Sequence, residues 1–225
     1  MLLIIFDLDG TLIETDFRNL KEARRKAANF LREKYGVDIS PSPPFFMKLF
    51  NTIKEISRRT GTDGAIIRRQ IYKIIEEYEL KNVEKFRPLA DLRALFKCLR
   101  ERGIRIAILT SNSRKFAETV LDKLGIKKYI DLVLTRDDIE RPKPFPDGIL
   151  EICKRLGVKK ENTIMIGDTP IDMETAKNAG VRAIGLSFHY PEEELKKKGA
   201  DIVLNKLNCK ELLNVICNKV MINDT

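Results

Sequence analysis

Leu2-Leu3-Ile4-Ile5-Phe6-Asp7-Leu8-Asp9-Gly10-Thr11-Leu12 opens the chain with five apolar residues that run straight into two carboxylates and a glycine. So uniform an apolar run reads as a strand covered on both faces, since a half-exposed strand would alternate. Two acids two residues apart, with Gly10 behind them, mark a sharp exit from the sheet. The same pattern recurs downstream. Ile104–Leu109, Asp131–Leu134, Thr163–Ile166 and Arg182–Leu186 read as further buried strands. Amphipathic helical patterns lie between them, among them Arg114–Leu124 and Gly148–Leu156, each stopped by a glycine, Gly125 and Gly157. This alternation predicts an α/β fold, a doubly wound parallel sheet with helices on both faces.

One stretch breaks the rhythm. Residues 16–83 hold no strand pattern. Phe17, Leu20, Ala27, Phe30 and Leu31 fall at helical spacing, with Asp16 placed to cap the N-terminus. Ser40-Pro41-Ser42-Pro43-Pro44 interrupts as a loop, and helical patterns resume over Phe45–Arg58 and Ala65–Tyr78. The predicted organisation is an α/β core of residues 1–15 and 84–225, with an all-helical unit of residues 16–83 inserted after the first strand. The chain returns to the core near Arg87-Pro88, before a helix over Leu89–Arg102.

The bulk composition narrows the function. A chain of 225 residues suffices for one α/β core and a smaller accessory unit, and 43% hydrophobic with 33% charged residues is an ordinary globular balance. The apolar run Met1–Phe6 is far too short for a signal-peptide core or a membrane span, so a cytoplasmic location and no membrane partner are expected. Cys98, Cys153, Cys209 and Cys217 form no C-x-x-C pair and read as buried or incidental thiols, with neither a disulfide framework nor a zinc site. With His189 as the single histidine, histidine-based zinc or Ser-His-Asp chemistry has little to draw on. The net charge of +9 is spread through every segment and interleaved with Glu, and no nucleic-acid reader motif accompanies it. Nucleic acid is therefore not expected as a partner, whereas a positive field would steer phosphorylated metabolites inward.

Four strands end in polar residues, and in doubly wound sheets ligands bind at those carboxyl ends. The carboxylate of Asp7 can attack phosphorus to give an acyl-phosphate, and a second one, Asp9, can protonate the leaving oxygen and then activate water. Alone, Asp-x-Asp-Gly is explained equally well as a plain turn. Thr110-Ser111-Asn112 ends the second core strand in two hydroxyls and an amide that suit phosphate oxygens, or that cap the following helix. Arg141-Pro142-Lys143-Pro144 presents Lys143 from a loop stiffened by prolines, though a lone loop lysine is usually just solvated. Gly167-Asp168-Thr169-Pro170-Ile171-Asp172 ends another strand in an acidic turn, where either acid can simply cap the helix begun at Pro170. Together, Asp7, Asp9, Asp168 and Asp172 at one sheet edge would repel strongly without a cation, and hard oxygen ligands select magnesium.

In this order and setting the four motifs resemble the haloacid dehalogenase (HAD) superfamily of phosphohydrolases, from Met1 to about Leu186. The helical insertion is similar in position and length to that superfamily's helical cap. The resemblance implies a Rossmann-like core and a phosphatase of the phosphoglycolate-phosphatase-like branch, acting on a small phosphorylated metabolite. It implies Asp7 as nucleophile and magnesium ligand, and Asp9 as general acid/base with its backbone carbonyl on the metal. Thr110 would bind the phosphoryl group, with Ser111 and Asn112 beside it, and Lys143 would neutralise the attacking carboxylate and the transferring oxygens. Asp168 would bind magnesium, and Asp172 would bind it through water or orient Lys143. The family's carbon–halogen hydrolases lack the second acid of the first motif and the magnesium-binding acid, and Asp9 and Asp168 are both present here. A sugar-phosphate mutase using the same intermediate stays open, as does a non-catalytic phospholigand-binding or regulatory protein. A phosphonate hydrolase would need a Schiff-base lysine from the cap, and nothing singles out Lys48 or Lys54. Arg58-Arg59 can be a ligand for an anionic substrate or an exposed helix end, the latter being preferred; His189, following the strand Arg182–Leu186, can reach the site edge or lie in a surface loop, the latter being preferred. Monomer and homodimer are both compatible with the sequence.

Overall fold

The computed structural model describes residues 1–15, 17–81 and 83–217, with the backbone alone described for 17–19. Asp16, expected as a helix cap, and the side chain of Phe17 lie outside the described residues. Strand β1 (Leu3–Phe6) is wholly buried and is followed by a short strand, β2 (Ile13–Glu14). Three helices come next, α1 (Phe17–Tyr35), α2 (Phe45–Thr60) and α3 (Gly64–Leu80), and then β3 (Arg87–Pro88). β3 pairs antiparallel with β2, so the helical segment leaves and rejoins the rest of the chain at one place. The remainder alternates: α4 (Leu92–Glu101), β4 (Arg105–Leu109), α5 (Arg114–Leu124), β5 (Leu132–Leu134), α6 (Asp147–Leu156) and β6 (Thr163–Gly167). It closes with α7 (Pro170–Ala179), β7 (Arg182–Leu186), α8 (Glu192–Lys198), β8 (Ile202–Leu204) and α9 (Cys209–Val215).

The large sheet has the order β5-β4-β1-β6-β7-β8, with every neighbouring pair parallel. From β1 the chain builds outward through β4 and β5, then crosses back to β6 on the other side of β1. The strand order therefore reverses between β1 and β6, and a crevice opens there at the carboxyl edge. Strand residues alternate between the two faces. Ile4, Phe6, Ile106, Ile108, Ile164 and Ile166 pack with α4, α5 and α9, whereas Leu3, Ile5, Ala107, Leu109 and Met165 pack with α6, α7 and α8. Each fully buried Ile or Leu contributes about 1.5–3 kcal/mol over its exposed state, which is why these strands carry almost no polar residue.

Helices α1–α3 enclose a cluster of their own, built from Ala23, Ala27, Leu31, Leu49, Ile53, Ile67, Ile71 and Ile75. The small alanines of α1 let α3 approach closely. Two features differ from the sequence reading. β8 extends the sheet to six strands; at three half-buried residues it gives no periodic signal. Cys98 and Cys209 form a disulfide that ties α4 to α9, correcting the reading of all four cysteines as unpaired. That pairing follows from the packing of two helices 111 residues apart, which cysteine spacing cannot reveal. Among the described residues no helix is long and apolar enough to cross a membrane.

Candidate active site

Asp7 follows β1 directly, and its backbone N–H donates to the Ile166 carbonyl at 2.9 Å, so β6 continues to hold the chain as it leaves the sheet. The turn that follows needs glycine at one point. Gly10 has φ +81°, and a Cβ there would lie 2.3 Å from a carboxylate oxygen of Asp168. Removing that side chain lets the first turn sit against β6, and Thr11 then donates its hydroxyl to Asp168 Oδ1 at 3.0 Å. Gly167 serves the same end at the tip of β6, where a Cβ would meet the Asp172 side chain at 2.4 Å.

Asp168 and Asp172 come from β6 and the first turn of α7. Thr169 caps α7 through a reciprocal pair: it accepts from the Asp172 backbone N–H, and Asp172 Oδ2 accepts from the Thr169 backbone N–H and hydroxyl. Asp172 therefore caps the helix with one oxygen while the other faces the crevice. Lys143 Nζ reaches that oxygen at 2.6 Å and Asp7 Oδ1 at 2.6 Å, with all three side chains buried. Ligand oxygens of Asp7, Asp168 and Asp172 lie within 4.8 Å of one another. Asp9 stands apart from that group: its Oδ1 accepts from Thr15 at 2.9 Å and its Oδ2 from Asn112 Nδ2 at 2.8 Å.

Thr110, at the tip of β4, is buried and donates its hydroxyl to the Asn112 side-chain carbonyl, while the Asn112 backbone N–H donates back to it at 3.1 Å. The cap of α5 is Ser113, which accepts from Phe116 N–H. Thr110, Ser111 and Asn112 are thus not needed for capping, and all three line the crevice.

The electrostatics follow from three carboxylates and one ammonium in a dry place. Burial pushes the Lys143 ammonium down, but Asp172 and Asp7 more than reverse this and hold it above its ordinary value. Burial drives the Asp7 carboxyl well up; Lys143 opposes this, while Asp172 and Asp168 add to it. Asp168 is pushed up to about 7, first by burial and then by Asp172. Asp9 is raised by burial, with its Asn112 and Thr15 hydrogen bonds pulling the other way. The cluster lacks positive charge, which is what a divalent cation supplies. Three hard oxygen donors suit magnesium.

A cleft of about 840 Å³ rises from this edge to the helical segment and is lined by Leu20, Lys21 and Arg24 of α1 and by residues 40–47. The ring of Phe50 in α2 meets Phe145, two residues after Lys143, at 5.6 Å between centroids. Sequence reasoning missed three residues here, Glu79, Arg136 and Arg24, and preferred the wrong alternative for a fourth. His189 was expected in a surface loop, but its Nδ1 lies 3.1 Å from Asp168 Oδ2. Its position just past the carboxyl end of β7 was the available signal. Glu79 of α3 pairs with the fully buried Arg136, which also donates to the Ser111 carbonyl at 3.0 Å, while Glu79 accepts from Ser113 N–H at 3.2 Å. Arg24 enters the cleft from α1. Arg58 and Arg59 are exposed at the end of α2, Arg59 donating to the Tyr35 carbonyl, as the plainer reading held. Lys48 binds the Ser42 and Pro43 carbonyls, and Lys54 lies over Phe50.

The chain is similar to known proteins. The family model of haloacid dehalogenase-like hydrolases matches residues 4–186. The chain is 28% identical to the pyrophosphatase PpaX of Halalkalibacterium halodurans, over 95% of each chain. It is 25% identical to the phosphoglycolate phosphatase of Chromobacterium violaceum, over 91% of this chain and 92% of that one. A crystal structure of a hydrolase from Pseudomonas syringae superposes with a TM-score of 0.69 at 26% identity, covering 96% of this chain and 98% of the other. A family match that spans both edges of the β1/β6 crevice, joined to relatives aligned almost end to end, leads to one conclusion: the chain belongs to the haloacid dehalogenase-like hydrolases.

Proposed function

We propose that this chain is a magnesium-dependent phosphatase that hydrolyses a small phosphomonoester through a covalent phosphoryl intermediate on Asp7. The observation that carries the reading is Lys143 Nζ held 2.6 Å from both Asp7 and Asp172, with Asp168 in the same cluster, at the β1/β6 crevice. Residues 16–83 act on this reading as a cap over a core of residues 1–15 and 84–225. Asp7, Asp168 and the Asp9 backbone carbonyl would hold the ion, with Asp172 bound to it through water or acting on Lys143. Once bound, the ion would supply positive charge to the phosphoryl oxygens.

The chain's own residues account for the rest. An Asp7 oxygen attacks phosphorus as the ester P–O bond breaks, and Asp9 gives its proton to the departing oxygen. Burial raises the proton affinity of Asp9, which favours the donating form. Asp9, now a carboxylate, takes a proton from water, which cleaves the acyl-phosphate and restores Asp7. Asn112 and Thr15 keep Asp9 in place. The Thr110 hydroxyl and the Ser111 backbone N–H hold phosphoryl oxygens, with Asn112 beside them. Lys143 neutralises the attacking carboxylate and the transferring oxygens, and Asp172 fixes its position.

Phosphate release from a panel of phosphorylated metabolites, with magnesium and with chelator, tests this. Turnover is expected only with magnesium, and Asp7→Asn is expected to lower kcat by about 10⁴-fold or more, as removal of a nucleophile does. Near-normal turnover by Asp7→Asn would remove the covalent mechanism.

A further inference from the structure

The core offers one ammonium at the reacting centre, and Lys143 is already shared between Asp7 and Asp172. Nothing in that set faces the part of a substrate that is not transferred. The helical segment supplies a different cation. Ala23, Ala27 and Leu31 turn one face of α1 into the helical cluster. Leu20 and Arg24, one turn apart beside that face, line the cleft instead.

Arg24 is half-buried in the cleft wall. Among the described residues its guanidinium has no hydrogen bond or ion pair, and its Nε is sealed from solvent with no partner. Its guanidinium carbon stands 6.0 Å from the Phe45 ring centroid, which provides a flat wall but no acceptor. Burial lowers its hold on its proton, with Asp9 and then Tyr190 acting the other way. Arg136 shows the contrast. It too leaves Nε unpaired, but its amino groups bind Glu79 and the Ser111 and Tyr72 carbonyls. Arg24 is also the one arginine among the described residues lining the cleft. A donor withdrawn from water without an acceptor, as Nε is here, is costly, and the planar guanidinium fork matches a carboxylate or phosphate edge.

We infer that Arg24 is the binding site for a second anionic group of the substrate, a carboxylate or a further phosphate, opposite the phosphoryl group that Asp7 takes. This rests on the phosphatase reading above and deepens it: the substrates are small phosphoryl compounds with an anion at each end. Lys21, one turn earlier on the same wall, adds positive charge at the cleft mouth. Neutral esters make no use of the Arg24 fork.

Two measurements test the assignment. The first is the ratio of kcat/KM for two-anion substrates (2-phosphoglycolate, 3-phosphoglycerate, pyrophosphate) to that for p-nitrophenyl phosphate. In Arg24→Ala this ratio is expected to fall about 10- to 100-fold, the loss typical of a charged hydrogen-bond pair, mainly through KM, and Arg24→Lys should recover part of it. The second is calorimetric binding of phosphonocarboxylates of two to four carbons against methylphosphonate, none of which has an ester bond to cleave. Wild type should prefer the two-anion series and Arg24→Ala should lose that preference. An unmoved ratio, or an unchanged binding preference, overturns the assignment. A wild-type protein that hydrolyses no ester overturns the phosphatase reading instead, and the binding measurement still decides Arg24.

Discussion

Asp168 is the residue where burial and function pull hardest against each other. Its folded pKa of about 7 lies above the ordinary carboxylate value. Between roughly pH 4 and 7 the folded state therefore keeps a proton that the unfolded chain has released. Stability of the metal-free protein must then fall as pH rises through that window, by up to about 1.4 kcal/mol per pH unit from this group. Below the window both states are protonated, above it both are ionised, and the slope vanishes. Thermal unfolding in chelator should show a midpoint that drops from pH 4.5 to 7, and Asp168→Asn should make the drop shallower, with Asp7 and Asp9, both raised by burial, supplying what remains. A midpoint that rises across the window in wild type would contradict the raised value. The acids themselves were legible in the sequence because each ends an apolar run, so position alone puts them at one edge. His189 was legible only as one of two alternatives, since it sits in a loop after a strand, and Arg24 was not legible in an ordinary amphipathic helix. Only packing brings them to Asp168 and to the cleft.

At the scale of elements, the junction between α3 and the core rests on Glu79 and Arg136. The pair is buried, and both members also bind the backbone of the Ser111–Ser113 loop at the cleft. Removing one partner leaves a buried charge unpaired, at a cost of about 3–5 kcal/mol. Arg136→Met should therefore destabilise strongly, and the double variant Glu79→Leu/Arg136→Met should recover part of the loss. A denaturation double-mutant cycle measures this, and strict additivity would show that the two residues do not act as a pair. Nothing in the sequence points to it. Glu79 reads as one more charge in a helix rich in Glu, and Arg136 follows a strand at a place where arginine is normally solvated. Most helices were legible from their period and glycine stops, and strands as short as β5 from an apolar run at the expected place in the alternation; β8, the β2–β3 pair and α9 were not read.

The whole molecule divides its tasks along the chain. The sheet, with its reversal between β1 and β6, collects Asp7, Thr110, Lys143 and Asp168 from four separate segments at one edge. The helical segment, inserted where β2 and β3 run side by side, lines the other wall of the cleft. Chemistry and selectivity can then vary independently, which is why the sequence speaks clearly about the first and little about the second. The disulfide between Cys98 and Cys209 fastens α9 to α4 on the face away from α6 and α7, a link set by tertiary packing alone. The central claim is that the phosphoryl group rests on Asp7 during turnover. The direct measurement is peptide mass mapping of Asp9→Asn mixed with p-nitrophenyl phosphate and magnesium, then quenched in acid. This leaving group departs without a proton, so Asp7 can still be phosphorylated while the water step stalls for want of a base. A single phosphoryl group on the peptide carrying Asp7 is the predicted result. Release of nitrophenol with no adduct on Asp7, or with the adduct elsewhere, would contradict the account.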